Sequence, residues 1–109
     1  MDLFSILRRE HDVIRERVEA SLDADDPTEK KRQFEEARRL TRAHHQGEEI
    51  VLYSRTKEMP TLRDSSLEAL EEHHYIAIML DELRDLAPSD ERFAAKLGVF
   101  EEFLDHHFE

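Results

Sequence analysis

The chain of 109 residues has no cysteine, no tryptophan, only two glycines and three prolines, and far fewer Lys and Arg (16) than Asp and Glu (27). Without cysteine there is no disulfide scaffold, no thiolate metal site and no thiol redox chemistry, so any bound metal has to be held by nitrogen and oxygen. Two glycines in a chain that is 39% charged and 39% hydrophobic argue against a sandwich or barrel and for surface-rich helices. The net charge of −11 excludes a nucleic-acid or anionic-membrane face, since both demand a basic surface. Lys30, Lys31 and Arg32, the densest basic run, are expected at a solvated helix start. No apolar stretch approaches the roughly 20 residues that a membrane span needs. Met1 to Leu7 lacks a basic segment followed by an apolar run, so a cytoplasmic location is expected. The length fits a single domain over 1–109 with one modest core.

What the chain does have is helical periodicity between its prolines. Leu3, Leu7, Ile14, Val18 and Leu22 fall at spacings that place them on one helical stripe, which also carries His11, and predict a helix from about Asp2 to Leu22. Asp26 as N-cap and Pro27 at the first helical position open a second helix, striped by Phe34, Ala37, Thr41, His44, Glu48, Val51 and Leu52 and ending near Pro60. Ser65 with Glu68 reads as a capping box for a third, with Leu70, His73, Ile76, Leu80 and Leu83 on its stripe. After Pro88, Ser89 is expected to cap a fourth, whose row is Phe93, Leu97, Phe100, Leu104 and His107. Short connections make sequence neighbours antiparallel, so the expected fold is all-α, an up-down-up-down four-helix bundle. The spans His11 to His44 (33 residues) and His73 to His107 (34 residues), each with a helix break inside, suggest two hairpin repeats.

Each apolar stripe thus carries one histidine. At 1.5 Å per residue, His11 lies roughly 13 Å from the start of its helix, His44 roughly 18 Å from the end of its own and His73 roughly 10 Å into the third. These depths are compatible with one layer across the bundle. Burying unpaired imidazoles costs several kcal/mol, a cost that a shared metal offsets. Glu48 stands one helical turn beyond His44 on the same stripe, and imidazole with carboxylate on one face is iron-type ligand chemistry. Neighbours on a helix point about 100° apart, so only one member of each doublet faces the core. Stripe position selects His44, His73 and His107, leaving His45, His74 and His106 as solvent-facing or outer groups. The candidate metal ligands are therefore His11, His44, Glu48, His73 and His107. Tyr53 and Tyr75 are close enough in sequence to support them.

Taken together, Leu-Arg-Arg-Glu-His11, His44-His-Gln-Gly-Glu48-Glu-Ile-Val-Leu-Tyr, Glu-Glu-His73-His-Tyr-Ile and Phe-Leu-Asp-His-His107 resemble the hemerythrin-like domain, also called the HHE cation-binding domain, over essentially the whole chain. That family places one histidine on its first and third helices and a His-x-x-x-Glu motif on its second and fourth. The resemblance implies a bundle enclosing two irons, histidines capping each and glutamate bridging them. Here Glu48 would bridge, His11 and His44 would serve one ion, and His73 with His107 the other. An open position would take O2, NO or peroxide.

Two departures qualify this. Oxygen-carrying hemerythrins have a His-x-x-x-His pair on the third helix, whereas Ala77 stands four residues after His73 here, which shifts the expectation from reversible oxygen carriage toward sensing, repair, redox or iron handling. The glutamate partner of His107 would fall at position 111, beyond Glu109, so the last helix is expected to be truncated, with one iron rather than two if no carboxylate completes it. Glu109 itself lies on the wrong face. The alternatives are Zn or Mn in the same cage, and, in a different class, an acidic helical protein-protein interaction module without metal. The chain is expected as a monomer or homodimer.

Overall fold

The computed structural model describes residues 2–108. Four long helices carry the fold: α1 (Leu3–Asp23), α2 (Pro27–Glu48), α3 (Arg63–Asp85) and α4 (Glu91–Phe108). Helix α2 runs on through a π-helical turn, Glu49–Tyr53, and a last α-turn, Ser54–Thr56. These stretches together rise roughly 45 Å at 1.5 Å per residue, matching the 47 Å long axis of the molecule. Packing joins α1 to α2, α3 to α4, α1 to α4 and α2 to α3, the ring of neighbours of an up-down-up-down bundle.

Local chemistry explains most boundaries. Asp2 accepts from the Ser5 amide and Asp26 from the Glu29 amide, with Pro27 opening α2 as its sequence predicts. The expected cap at Ser65 is not used. The chain is already helical in conformation at Leu62, so α3 begins at Arg63 without a side-chain cap, and Ser66 is buried against the end of α2, its Oγ 2.6 Å from Thr56 Oγ1. The fourth helix is capped by Asp90 rather than Ser89: its Oδ1 accepts from the Arg92 amide at 2.9 Å. Lys30 and Lys31 are not simply solvated. The Lys30 ammonium donates to the carbonyls of Ser21 (2.7 Å) and Leu22 (3.0 Å), and that of Lys31 to Arg84 (2.8 Å), so adjacent lysines at the start of α2 satisfy orphan carbonyls at the ends of α1 and α3.

The stripes converge on one apolar core of Ile14, Val18, Phe34, Ala37, Ile76, Leu80, Leu83, Phe93, Leu97, Phe100 and Leu104. Phe34 and Phe93 meet edge to face at 5.6 Å across it. The core fills the end of the bundle where α1 passes to α2 and α3 to α4. Along each helix away from those connections the stripe turns from apolar to polar, through Ile14 to His11, Thr41 to His44, Ile76 to His73 and Leu104 to His107. The opposite half of the bundle therefore encloses a polar layer. There the π turn shifts the register of α2 by a residue relative to an unbroken helix. Val51, expected on the stripe, is consequently 51% exposed, while Tyr53 turns inward against His73 with ring centroids 5.6 Å apart.

Candidate metal centre

Every one of the five sequence-selected residues comes to this polar layer, and one residue assigned elsewhere joins them. Two clusters of donor atoms form, each with its atoms within 4.8 Å of one another: His11, His44 and Glu48 in one, and His45, Glu48, His73 and His107 in the other. Glu48 belongs to both. Its Oε1 is 3.4 Å from His44 Nε2 and 3.3 Å from His73 Nε2. The Nε2 atoms of His11 and His44 face each other at 2.9 Å, and those of His73 and His107 at 3.1 Å.

Behind three of these imidazoles stands a carboxylate. His44 Nδ1 lies 3.1 Å from Glu10 Oε1, His73 Nδ1 3.6 Å from Glu49 Oε2, and His107 Nδ1 3.5 Å from Glu72 Oε2. The Glu10 carboxylate favours the His44 tautomer with its proton on Nδ1 and leaves that Nε2 lone pair pointing inward. The contacts of His73 and His107 are longer, and their Nδ1 atoms are buried without a hydrogen-bond partner among the described residues. The inward nitrogens meet one another and the Glu48 carboxylate. Glu48 Oε1 and His45 Nε2 are buried without a hydrogen-bond partner among the described residues. Converging nitrogen and oxygen electron pairs in a closed layer fit a cation and leave buried polar groups unsatisfied without one.

The electrostatics agree. Burial, followed by the field of His73, pushes His45 down to about 2, and burial with the neighbouring His44 pushes His11 to about 4. Burial and His73 also lower His107. All three imidazoles are thus held neutral at pH 7, the form that ligates metal. For Glu48, burial raises the pKa, but the close polar contact with His73 and the fields of His44, His73 and His107 outweigh it, so the carboxyl titrates below its ordinary range. Tyr53 is driven up to about 12 by burial and then by Glu48 and Glu72, and stays a neutral phenol.

The surroundings of the two clusters differ. Phe108 lies flat on His11, centroids 3.8 Å apart and planes 8° off parallel, and the Arg15 guanidinium covers the far face of that pair 5.1 Å from the Phe108 ring, held by Asp105 at 3.0 Å. On the other side a groove of about 420 Å³ runs between α2 and α3, with His45 and His73 in its lining.

His45 is the residue that sequence reasoning misplaced. It is 5% exposed and stacked on His73, not solvent-facing, because at this depth α2 packs between α1 and α3 and presents adjacent residues to each. The signal available was the doublet itself: neighbours about 100° apart on a helix with two packed sides can both be internal. His74 and His106 are exposed as expected. Tyr75 is 56% exposed, stands against His74 and supports no part of the centre. Glu109 lies outside the described residues.

No helix among the described residues is long and apolar enough to cross a membrane. No curated protein and no solved structure matches the chain. The hemerythrin HHE cation binding domain matches residues 2–109. Helices, their order and a buried histidine–glutamate layer all accord with that match, and a domain of this kind binds a cation. The chain belongs to the hemerythrin HHE cation-binding domain family.

Proposed function

We propose that this chain is a cytoplasmic non-haem di-iron protein of the hemerythrin type, which binds or senses O2, NO or peroxide or handles iron. The observation that carries the reading is Glu48, one buried carboxylate shared by two donor clusters. His11 and His44 would hold one ion and His45, His73 and His107 the other, with Glu48 available to both. Iron suits donor sets of imidazole and carboxylate that leave open positions, and when bound it supplies a redox-active Lewis acid to a small ligand.

The chain's own groups prepare the reaction. Glu10 hydrogen-bonds His44 Nδ1 and orients that imidazole, while Glu49 and Glu72 lie 3.6 and 3.5 Å behind His73 and His107 and set the local negative field. Phe108 and Arg15 shield the half-buried His11 ring on its outer face. The Tyr53 phenol, neutral and turned toward His73, is a proton donor beside the layer. The two donor sets are unequal, two imidazoles against three, and would hold their ions differently.

Elemental analysis of protein purified without chelator, with absorption spectra taken before and after dithionite and then air, tests this. About two irons per chain and an oxygen-sensitive near-ultraviolet band are expected. A folded protein holding zinc or manganese alone overturns the iron assignment, and one holding no metal and indifferent to chelators leaves a helical interaction module instead.

A further inference from the structure

We propose that the groove between α2 and α3 is a binding site for a small, neutral, planar nitrogen-donor molecule of about imidazole size, which coordinates the metal on the His45 side. The inference rests on the metal reading above and adds a ligand class that a diatomic-binding centre does not require.

The argument begins with Ala77. It lies one helical turn beyond His73 on α3, where a side chain four residues on shares the face of the first. A methyl group there leaves open the space that a longer side chain would fill. The resulting groove measures about 420 Å³. A water molecule occupies about 30 Å³ of liquid, so the space is far larger than a diatomic ligand uses and falls within the range of organic ligand sites.

Its lining narrows the class. His45 and His73, both 5% exposed and stacked at 3.8 Å, belong to it, so an occupant lies against two members of the donor set. Leu70 and Leu80 supply apolar walls of the kind that accept the faces of a ring. Arg42 and Gln46 add hydrogen-bonding groups. An anion is disfavoured, because Glu49 also lines the groove, Arg42 is already within 3.7 Å of Asp81, and the chain carries a net charge of −11. A neutral ring with an in-plane lone pair fits all three requirements. On the other side Phe108 lies flat against His11.

The test uses the full chain loaded with cobalt(II), whose visible bands report coordination number and geometry, with cobalt content measured on each sample. Imidazole is the probe. Wild-type protein is expected to show a saturable band change. Ala77→Leu, which fills the groove, should weaken imidazole at least about tenfold, equivalent to about 1.4 kcal/mol, while azide, small enough to pass, changes little. Ala77→His should show the imidazole-bound spectrum without added ligand and respond to none. Val99→Ala, exposed on α4 and outside the groove and both clusters, should behave as wild type. Cobalt-loaded wild-type protein that ignores imidazole, or Ala77→Leu that binds it as tightly as wild type, overturns the proposal and leaves the metal centre standing. Failure to take up cobalt at all overturns the metal reading and this one with it.

Discussion

His45 and His73 lie face to face, ring centroids 3.8 Å apart and planes 8° off parallel, although they belong to different helices. Both imidazoles reach the Glu48 cluster, and on the proposed di-iron reading His45 would be among the groups holding the second ion. His45→Ala is therefore expected to cut bound metal by about half, leaving the His11 and His44 side occupied. His74→Ala, one residue after His73 but exposed, should leave metal content unchanged. Equal occupancy in His45→Ala and wild type would return His45 to a packing role.

Glu48 is common to both clusters, so its removal is predicted to cost more than that of any one histidine. Glu48→Ala should retain little of either ion, whereas His11→Ala should lose chiefly the first. Metal-to-protein ratios after desalting distinguish the two, and a Glu48→Ala protein that keeps its full complement would rule out the bridge.

The outer carboxylates give a graded prediction. Glu10→Ala removes the partner of His44 Nδ1, and Glu72→Ala that of His107 Nδ1. Each should weaken metal affinity by about 10- to 100-fold, the usual effect of losing such a partner. Glu16→Ala, exposed on α1 and outside these contacts, is the control. Competition against a chromophoric chelator measures all three.

Acid sensitivity of the metal-free protein follows from the histidines. His11 and His45 titrate in the fold at about 4 and about 2, below their ordinary 6.5, so in mild acid the unfolded chain binds protons that the folded chain refuses. Stability then rises with pH through this range and is lost on acidification. Loss should begin near pH 6.5, with the His11 contribution complete near pH 4 and that of His45 continuing below it. Each histidine contributes at most about 1.4 kcal/mol per pH unit. Thermal melts of chelated protein between pH 7.5 and 5 should show a falling Tm, and His45→Phe, which cannot take up a proton, should flatten the trend. A Tm independent of pH over that interval would contradict the buried neutral imidazoles.

Much of this was legible in the chain. Helical stripes, the Asp26–Pro27 start and the absence of cysteine and of long apolar runs fixed an all-α bundle and limited any site to nitrogen and oxygen donors. The depths of His11, His44 and His73 were compatible with one level, because rise per residue converts sequence separation into depth once the helices are antiparallel. Periodicity measures position along and around one helix. It carries no information about how many neighbours that helix has.

The rest therefore waited for the tertiary structure. His45 is internal only because α2 is flanked on two sides, a property of the packing. Val51 turns outward and Tyr53 inward because a π turn after Glu48 breaks the register that the stripe assumes. Lys30 and Lys31 find their partners on α1 and α3, and Asp90 replaces Ser89 as a cap, through local geometry that several polar residues in a row leave open. The stacking of Phe108 on His11 and the open groove beside Ala77 likewise depend on which helices meet at the donor layer. The sequence by itself determined the helices and the chemistry of the residues they carry; only the packing decided which of those residues share a cavity, because proximity between helices is set by contacts remote in sequence.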